Sequence, residues 1–176
     1  MRHKLAVLLA LAGVALSACS SGGGGGSGGA ATSAAPASTI RVSSSAFQAG
    51  AAIPRKYSCS GEQVSPPLSW SGVPSGTKEL ALVVDDPDAG GFVHWVLTGI
   101  DPATTGIAEG QVPKGATEVS PYKGPCPPGG THHYDFAVYA LPSGAKVDSG
   151  DPREAIDQIR SAASARGELV GTFSAG

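Results

Sequence analysis

The sequence predicts a mainly β domain, a central β-sandwich with one helix near the C-terminus. Three observations carry this. Apolar runs of strand length recur between residues 79 and 173. Gly- and Pro-rich turn signals separate them, as in sandwiches and barrels. One stretch only, about residues 151–166, combines helix-capping residues with helical spacing.

The chain begins with a different signature. Arg2, His3 and Lys4 form a basic segment, and Leu5 to Leu16 an uncharged apolar run of twelve residues. A bilayer span needs about 20 apolar residues, so this run fits the core of a secretory signal peptide, residues 1–18. Leu16-Ser17-Ala18-Cys19 has the form of a bacterial lipobox, with small residues before a cysteine whose thiol would take the diacylglyceryl group. Lipidation of Cys19 would anchor the chain to the outer face of the cell membrane, since each buried methylene contributes about 0.8 kcal/mol. Residues 19–38, CSSGGGGGSGGAATSAAPAS, carry no charge and no aromatic side chain. Such a segment cannot bury enough surface to offset its ordering entropy, and reads as a tether.

Residues 39–176 remain, enough for one domain with its own core. Removing Arg2 and Lys4 with the leader leaves ten basic and fourteen acidic side chains, a net of −4. No basic patch is visible, which argues against a nucleic-acid partner.

Within the domain, Ile40-Arg41-Val42 and Ala46-Phe47 suit short peripheral strands. Glu79 to Asp85 is an apolar run ended by charge, as in a strand buried on both faces. Phe92–Ile100, Tyr134–Leu141 and Glu168–Phe173 are further β-branched and aromatic runs. Asp151-Pro152-Arg153-Glu154 reads as an N-cap, a proline at N1 and a capping-box glutamate. Ala155, Ile156, Ile159, Ala162 and Ala163 follow at helical spacing, and Gly167 suits the stop.

Candidate chemistry clusters at three places. Asp86-Pro87-Asp88 ends the most apolar strand, where a solvated turn is the plainer reading. His94 precedes Trp95 in the next strand, so alternation predicts that one of the two faces inward. Gly124-Pro125-Cys126-Pro127-Pro128 is a stiff loop, and the bare Gly124 N–H could approach a ligand. His132 and Tyr134 share one strand face with Phe136 and Val138, a polar pair leading into an apolar face, as at a pocket mouth. Cys59 and Cys126 are either a disulfide or two buried thiols. A bridge requires Cα atoms within about 7 Å.

Taken in order, Tyr57-Ser58-Cys59-Ser60-Gly61-Glu62, Ser65-Pro66-Pro67-Leu68-Ser69-Trp70, Asp86-Pro87-Asp88-Ala89, His94-Trp95-Val96, Gly124-Pro125-Cys126-Pro127-Pro128 and His132-x-Tyr134 resemble the bacterial branch of the phosphatidylethanolamine-binding proteins, the Raf kinase inhibitor-like proteins. The resemblance spans about residues 40–176. It implies a central β-sandwich with a C-terminal helix and a small surface cavity for phosphate-like anions. It implies a cavity wall of Asp86, Asp88, His94, Gly124, Pro125, His132 and Tyr134, and no agreed catalytic activity or cofactor. The chain departs from the pattern at Gly90-Gly91, where a proline usually follows the alanine, and at His133, where arginine is frequent. If that arginine supports the aspartate loop, His133 is expected to do so only when protonated.

The expected function is therefore a lipid-anchored, non-catalytic binding protein for a phosphate-like anion or phospholipid head group. Two imidazoles among carboxylates are expected to stay partly protonated near neutral pH. One alternative is an envelope protease inhibitor or another regulator that binds a protein partner. A metal-dependent hydrolase built on the two aspartates and two histidines is another. The spacing, however, lacks HExxH, and no Gly-x-Ser-x-Gly elbow occurs.

Overall fold

The computed structural model describes residues 37–38 and 40–175. The expected leader, the expected lipobox and nearly all of the expected tether lie outside them. None of the described helices is long and apolar enough to cross a membrane. The described residues belong to one compact unit.

Nine strands and one helix form it. A three-stranded antiparallel sheet contains β2 (Arg41–Ser43), β3 (Leu68–Ser71) and β6 (Gly106–Ile107), in the order β2-β3-β6. A six-stranded sheet contains β1 (Ala37–Ser38), β4 (Glu79–Asp86), β5 (Phe92–Ile100), β7 (Thr117–Ser120), β8 (Thr131–Leu141) and β9 (Ala165–Ser174), in the order β1-β9-β8-β4-β5-β7. The last two residues of the expected tether are thus β1, paired in parallel with Ala165 and Arg166. Backbone pairing on a sheet edge needs no apolar side chains. The expected Ala46-Phe47 strand is absent, but Phe47 is buried with its ring 5.5 Å from that of Phe136.

The continuous apolar run of β4 has a direct cause. Leu80, Leu82 and Val84 face the small sheet, packing with Leu68, Trp70 and Phe136. Ala81 and Val83 face the other way, with Ala137, Tyr139, Leu141 and the helix residues Ile156 and Ile159. Both faces are covered, so a strand with no polar alternation is stable there.

Helix α1 is Pro152–Ala162. Asp151 accepts from the N–H groups of Arg153 and Glu154, both at 3.0 Å. The Glu154 carboxylate does not return to the Asp151 N–H as a capping box requires. It accepts from the Ser149 hydroxyl (2.9 Å), and Ser149 Oγ accepts from the Asp151 N–H (3.1 Å). The helix stops four residues short of the expected 166, because Ala163 is already extended (φ −64°, ψ 132°) and β9 begins at Ala165. Gly167 is not a helix stop. It lies inside β9, where a side chain would collide with the Ile40 backbone.

β5 carries two bulges. Val84 pairs with Trp95 and Asp85 with Val93, which leaves His94 as an extra residue. A second irregularity, between Leu80 and Leu82, coincides with Gly99 at φ +67°. The first bulge overturns the expected alternation. His94 and Trp95 are both buried and lie toward the small-sheet side, whereas Val93 and Val96 belong to the helix-side core.

Candidate functional site

The ends of β4, β5 and β8 converge with the loop before β8. Asp86 ends β4 and is almost fully buried. One carboxylate oxygen accepts from the Ala89 N–H at 3.0 Å, closing the 3-10 turn Pro87–Ala89. The other lies 2.7 Å from His132 Nδ1. Because a carboxylate can only accept, His132 Nδ1 carries the hydrogen.

His94 is held from the opposite side. Its Nδ1 donates to the Lys123 carbonyl at 2.7 Å, and its own carbonyl accepts from the Lys123 N–H at 2.8 Å. A carbonyl also only accepts, so this tautomer is fixed in the same sense. The ring stands edge-on to Tyr134 (5.1 Å between centroids) and Phe92 (4.9 Å). Burial, outweighing the Lys123 carbonyl and the Asp86 charge, pushes the His94 pKa below the ordinary imidazole value. The expectation that both imidazoles stay partly protonated near neutral pH therefore fails for His94.

Tyr134 is buried, and among the described residues its hydroxyl has no hydrogen-bond partner of ordinary geometry, although the Asp86 carboxylate and the Cys126 N–H lie close by. Burial first, then the nearby Asp86 charge, pushes its pKa upward, so it stays a neutral phenol. A buried hydroxyl without a partner costs about 1–3 kcal/mol unless something else satisfies it.

These groups line a cavity of about 390 Å³. Of the residues expected in its wall, Asp86, His94, Gly124, His132 and Tyr134 line it. Asp88 and Pro125 do not. Asp88 points to the outside of the loop, where one oxygen accepts from His133 through both its N–H and its Nδ1, each at 2.8 Å. This double contact holds the Asp88 carboxyl below the usual carboxylate range, the backbone bond contributing most. His133 thus supports the aspartate loop, yet not only when protonated, since the N–H bond does not titrate and a neutral imidazole can donate from Nδ1. Pro125 presents its carbonyl to the Cys59 N–H at 3.1 Å.

Phe92, Lys123 and Gln63, which sequence reasoning passed over, also line the cavity, as does the Pro127-Pro128 pair of the stiff loop. Lys123 lies next to the Gly124 loop and Phe92 at the start of the His94 strand, which was the available signal. Lys123 Nζ sits 5.5 Å over the Phe92 ring, and Phe92 is 45% exposed. Charge and aromatic surface therefore meet in this pair.

Cys59 and Cys126 form a disulfide with Cα atoms 5.5 Å apart, and both line the cavity. The bridge ties the segment after Tyr57 to the proline loop. Gly124 makes this approach possible, since a Cβ there would lie 2.6 Å from the Tyr57 carbonyl oxygen and 2.9 Å from the Cys59 nitrogen. Its lack of a side chain serves the chain's own backbone.

A second surface cavity, about 430 Å³, is lined by Ala52, Ile53, Arg55, Ser60 and residues 172–174. Arg55 is its one charged side chain, and its Nε donates to the Ser60 carbonyl at 3.2 Å. It lacks the histidine, tyrosine and carboxylate convergence of the smaller cavity. Among the described residues, no group of three or more His, Cys, Asp or Glu is placed to hold a metal ion. The two aspartates and two histidines considered as a metal set are split, because Asp88 is turned away toward His133.

Behind the site, Asp85 faces the helix and pairs with Arg160 at 2.9 Å. Asp135 stands directly opposite Asp85 in the β4–β8 register. Burial, then the Asp85 charge, raises the Asp135 pKa.

Comparison with known proteins gives a consistent result. The family model described as phosphatidylethanolamine-binding protein matches residues 43–174. The protein that carries the name lipoprotein LppC in Mycobacterium tuberculosis is 47% identical over 148 residues, covering 78% of this chain and 73% of that one. A phosphatidylethanolamine-binding protein homologue from Chlamydia trachomatis has a crystal structure that superposes with a TM-score of 0.70 at 33% identity, covering 80% of this chain and all of that one. E. coli YbcL, described as a member of the mammalian family, superposes with a TM-score of 0.72 at 28% identity, covering 79% of this chain and all of that one.

Proposed function

The chain belongs to the phosphatidylethanolamine-binding protein family, and we propose that it is a non-catalytic binding protein whose histidine cavity takes a small phosphate-like anion, free or as a head group. The observation that carries this reading is the Tyr134 hydroxyl, buried in the cavity wall with no partner of ordinary geometry among the described residues. A ligand oxygen would satisfy it. His94 and His132 add two ring Nε2 atoms with no hydrogen bond among the described residues, and Lys123 adds a cation. The apolar wall of Phe92 and Pro127-Pro128 would exclude water and strengthen these contacts.

Asp86 is not a direct partner of the anion. Its oxygens are engaged by Ala89 and His132, and an ionised carboxylate would repel a negative ligand. Its role is to orient His132.

On this reading the binding domain lies outside the cell membrane, held by lipid on Cys19. The lipobox and the name of the mycobacterial relative support that placement. Mass spectrometry of the purified N-terminal peptide tests it, and an unmodified Cys19 would sink it.

Calorimetry of the full-length protein with inorganic phosphate and with phosphoethanolamine tests the cavity. The expected result is saturable binding, weakened about tenfold in Tyr134→Phe. Equal affinity in the wild type and in Tyr134→Phe would remove the ground for the reading. Binding of phosphoethanolamine alone would favour the head group over the free ion.

A further inference from the structure

We propose that the cavity takes up its anion together with a proton, which adds to Nε2 of His132. This deepens the reading above and rests on it. Nδ1 of His132 donates to Asp86 and Nδ1 of His94 donates to the Lys123 carbonyl. Neither partner can act as a donor, so both tautomers are fixed. In the neutral rings each Nε2 therefore carries a lone pair.

A lone pair facing an anion repels it. With both rings neutral, the cavity wall offers a phosphate-like ligand two acceptors, from His94 and His132, against the Tyr134 hydroxyl and the Lys123 ammonium as donors. Protonation of one Nε2 turns an acceptor into a charged donor and matches the wall to the ligand.

The groups around the two rings assign that proton. His132 lies on β8 with Asp86 on β4 against its Nδ1, the Asp88 charge on the adjacent turn, Tyr134 two residues along, and His133 on the other strand face. An imidazolium there has a buried carboxylate at 2.7 Å as its charge partner. His94 on β5 has a neutral carbonyl at Nδ1, the Lys123 ammonium on the adjoining loop, and the rings of Phe92 and Tyr134 at its sides, with the Asp86 charge farther off. Burial opposes a positive charge on this ring and outweighs the Lys123 carbonyl and the Asp86 charge, and the Lys123 ammonium acts in the same direction as burial. His132 is thus the ring that charges and His94 the ring that stays neutral. His94 Nε2 then suits a ligand hydroxyl or ammonium hydrogen.

A ligand with both an ionised oxygen and an acidic hydrogen fits this wall best. Monoprotonated phosphate and a phosphoester bearing a free ammonium are of this class, and a fully ionised anion must draw its proton from solvent.

Sulfate is the decisive probe, because it stays fully ionised near neutral pH and brings no proton. The full-length protein is titrated with sulfate at pH 7 in two buffers of different ionisation enthalpy. The difference in measured heat counts the protons taken up. About one proton per sulfate is expected, with affinity rising up to about tenfold per unit fall in pH. In ¹⁵N-histidine spectra, the Nε2 signal of His132 is expected to move to its protonated position on binding while that of His94 does not. Sulfate binding with no proton uptake, or protonation at His94 instead, would overturn the inference and leave the anion reading intact. No binding of sulfate, phosphate or phosphoethanolamine would overturn both.

Discussion

His132 Nδ1 and Asp86 Oδ2 lie 2.7 Å apart although 46 residues separate them in the chain. The pair joins the two central strands of the large sheet at the mouth of the cavity. It fixes the His132 tautomer, and it gives a hydrogen-bond donor to an aspartate that is only 2% exposed. Replacement by Asp86→Asn keeps the shape and removes the charge. The Asn oxygen can still accept from Ala89, but its amide then faces a ring N–H with a donor. The expected result is a loss of about 1–3 kcal/mol in stability and at least tenfold weaker sulfate binding. Urea unfolding and calorimetry measure the two effects, and an unchanged sulfate affinity would show the pair to be structural only.

Tyr134 behaves in the opposite way in the empty protein. Among the described residues its hydroxyl makes no hydrogen bond of ordinary geometry, so Tyr134→Phe removes a buried unsatisfied group. The variant is expected to be as stable as the wild type, or up to about 1 kcal/mol more stable, while binding anions less well. Thermal melts without and with phosphate should separate the two effects, with the ligand-induced shift shrinking in the variant.

The depressed pKa of His94 has a definite sign in the stability of the empty protein. The folded state binds its proton less readily than the unfolded chain, so unfolding takes up protons between the folded pKa and about 6.5. Stability is therefore full above about pH 6.5 and falls as the pH drops below it. The melting temperature at low salt is expected to decline between pH 7 and pH 5, before most carboxylates titrate. His94→Gln should flatten that part of the profile. Asp88, whose pKa is lowered, acts only in more acid solution, where its contribution is lost as the pH falls through the carboxylate range.

The Cys59–Cys126 bridge spans 67 residues. A loop of that length corresponds to about 4 kcal/mol of lost unfolded-state entropy. Reduction is expected to lower stability by roughly that amount, measured as the urea midpoint with and without a thiol reductant. Because both cysteines line the cavity, anion affinity should fall as well. Full retention of affinity after reduction would mean that the Cys59–Pro125 backbone bond and the close packing at Gly124 suffice.

Asp135 faces Asp85 across β4 and β8, and like charges directly opposed destabilise a sheet. Its raised pKa expresses the same conflict. Asp135→Asn is expected to stabilise the protein by up to about 1 kcal/mol at pH 7 and by less at pH 4. A destabilised variant would show that the carboxylate makes a contact of its own.

Much of this protein is a local matter, and local matters are legible in a sequence. The strand at 79–86 was readable because apolar side chains on both faces answer to cover on both faces. The start of α1 was readable because Asp151 and Pro152 act within one turn. Its end was not, since Ala163 turns extended to enter β9 and Gly167 answers to Ile40, over a hundred residues away.

The tertiary structure alone decided what the candidate residues do. Alternation along Phe92–Ile100 could not foresee the bulge that brings His94 and Trp95 to one side, because a bulge is a property of two paired strands. Nothing local separates Asp86 from Asp88, yet one turns inward to His132 and the other outward to His133. The missing hydrogen bond of Tyr134 and the depressed pKa of His94 follow from burial, which depends on every neighbour at once. Residue types and their order determined which groups could meet. Register, burial and the Cys59–Cys126 tie decided which of them face the cavity with an unused hydrogen or lone pair.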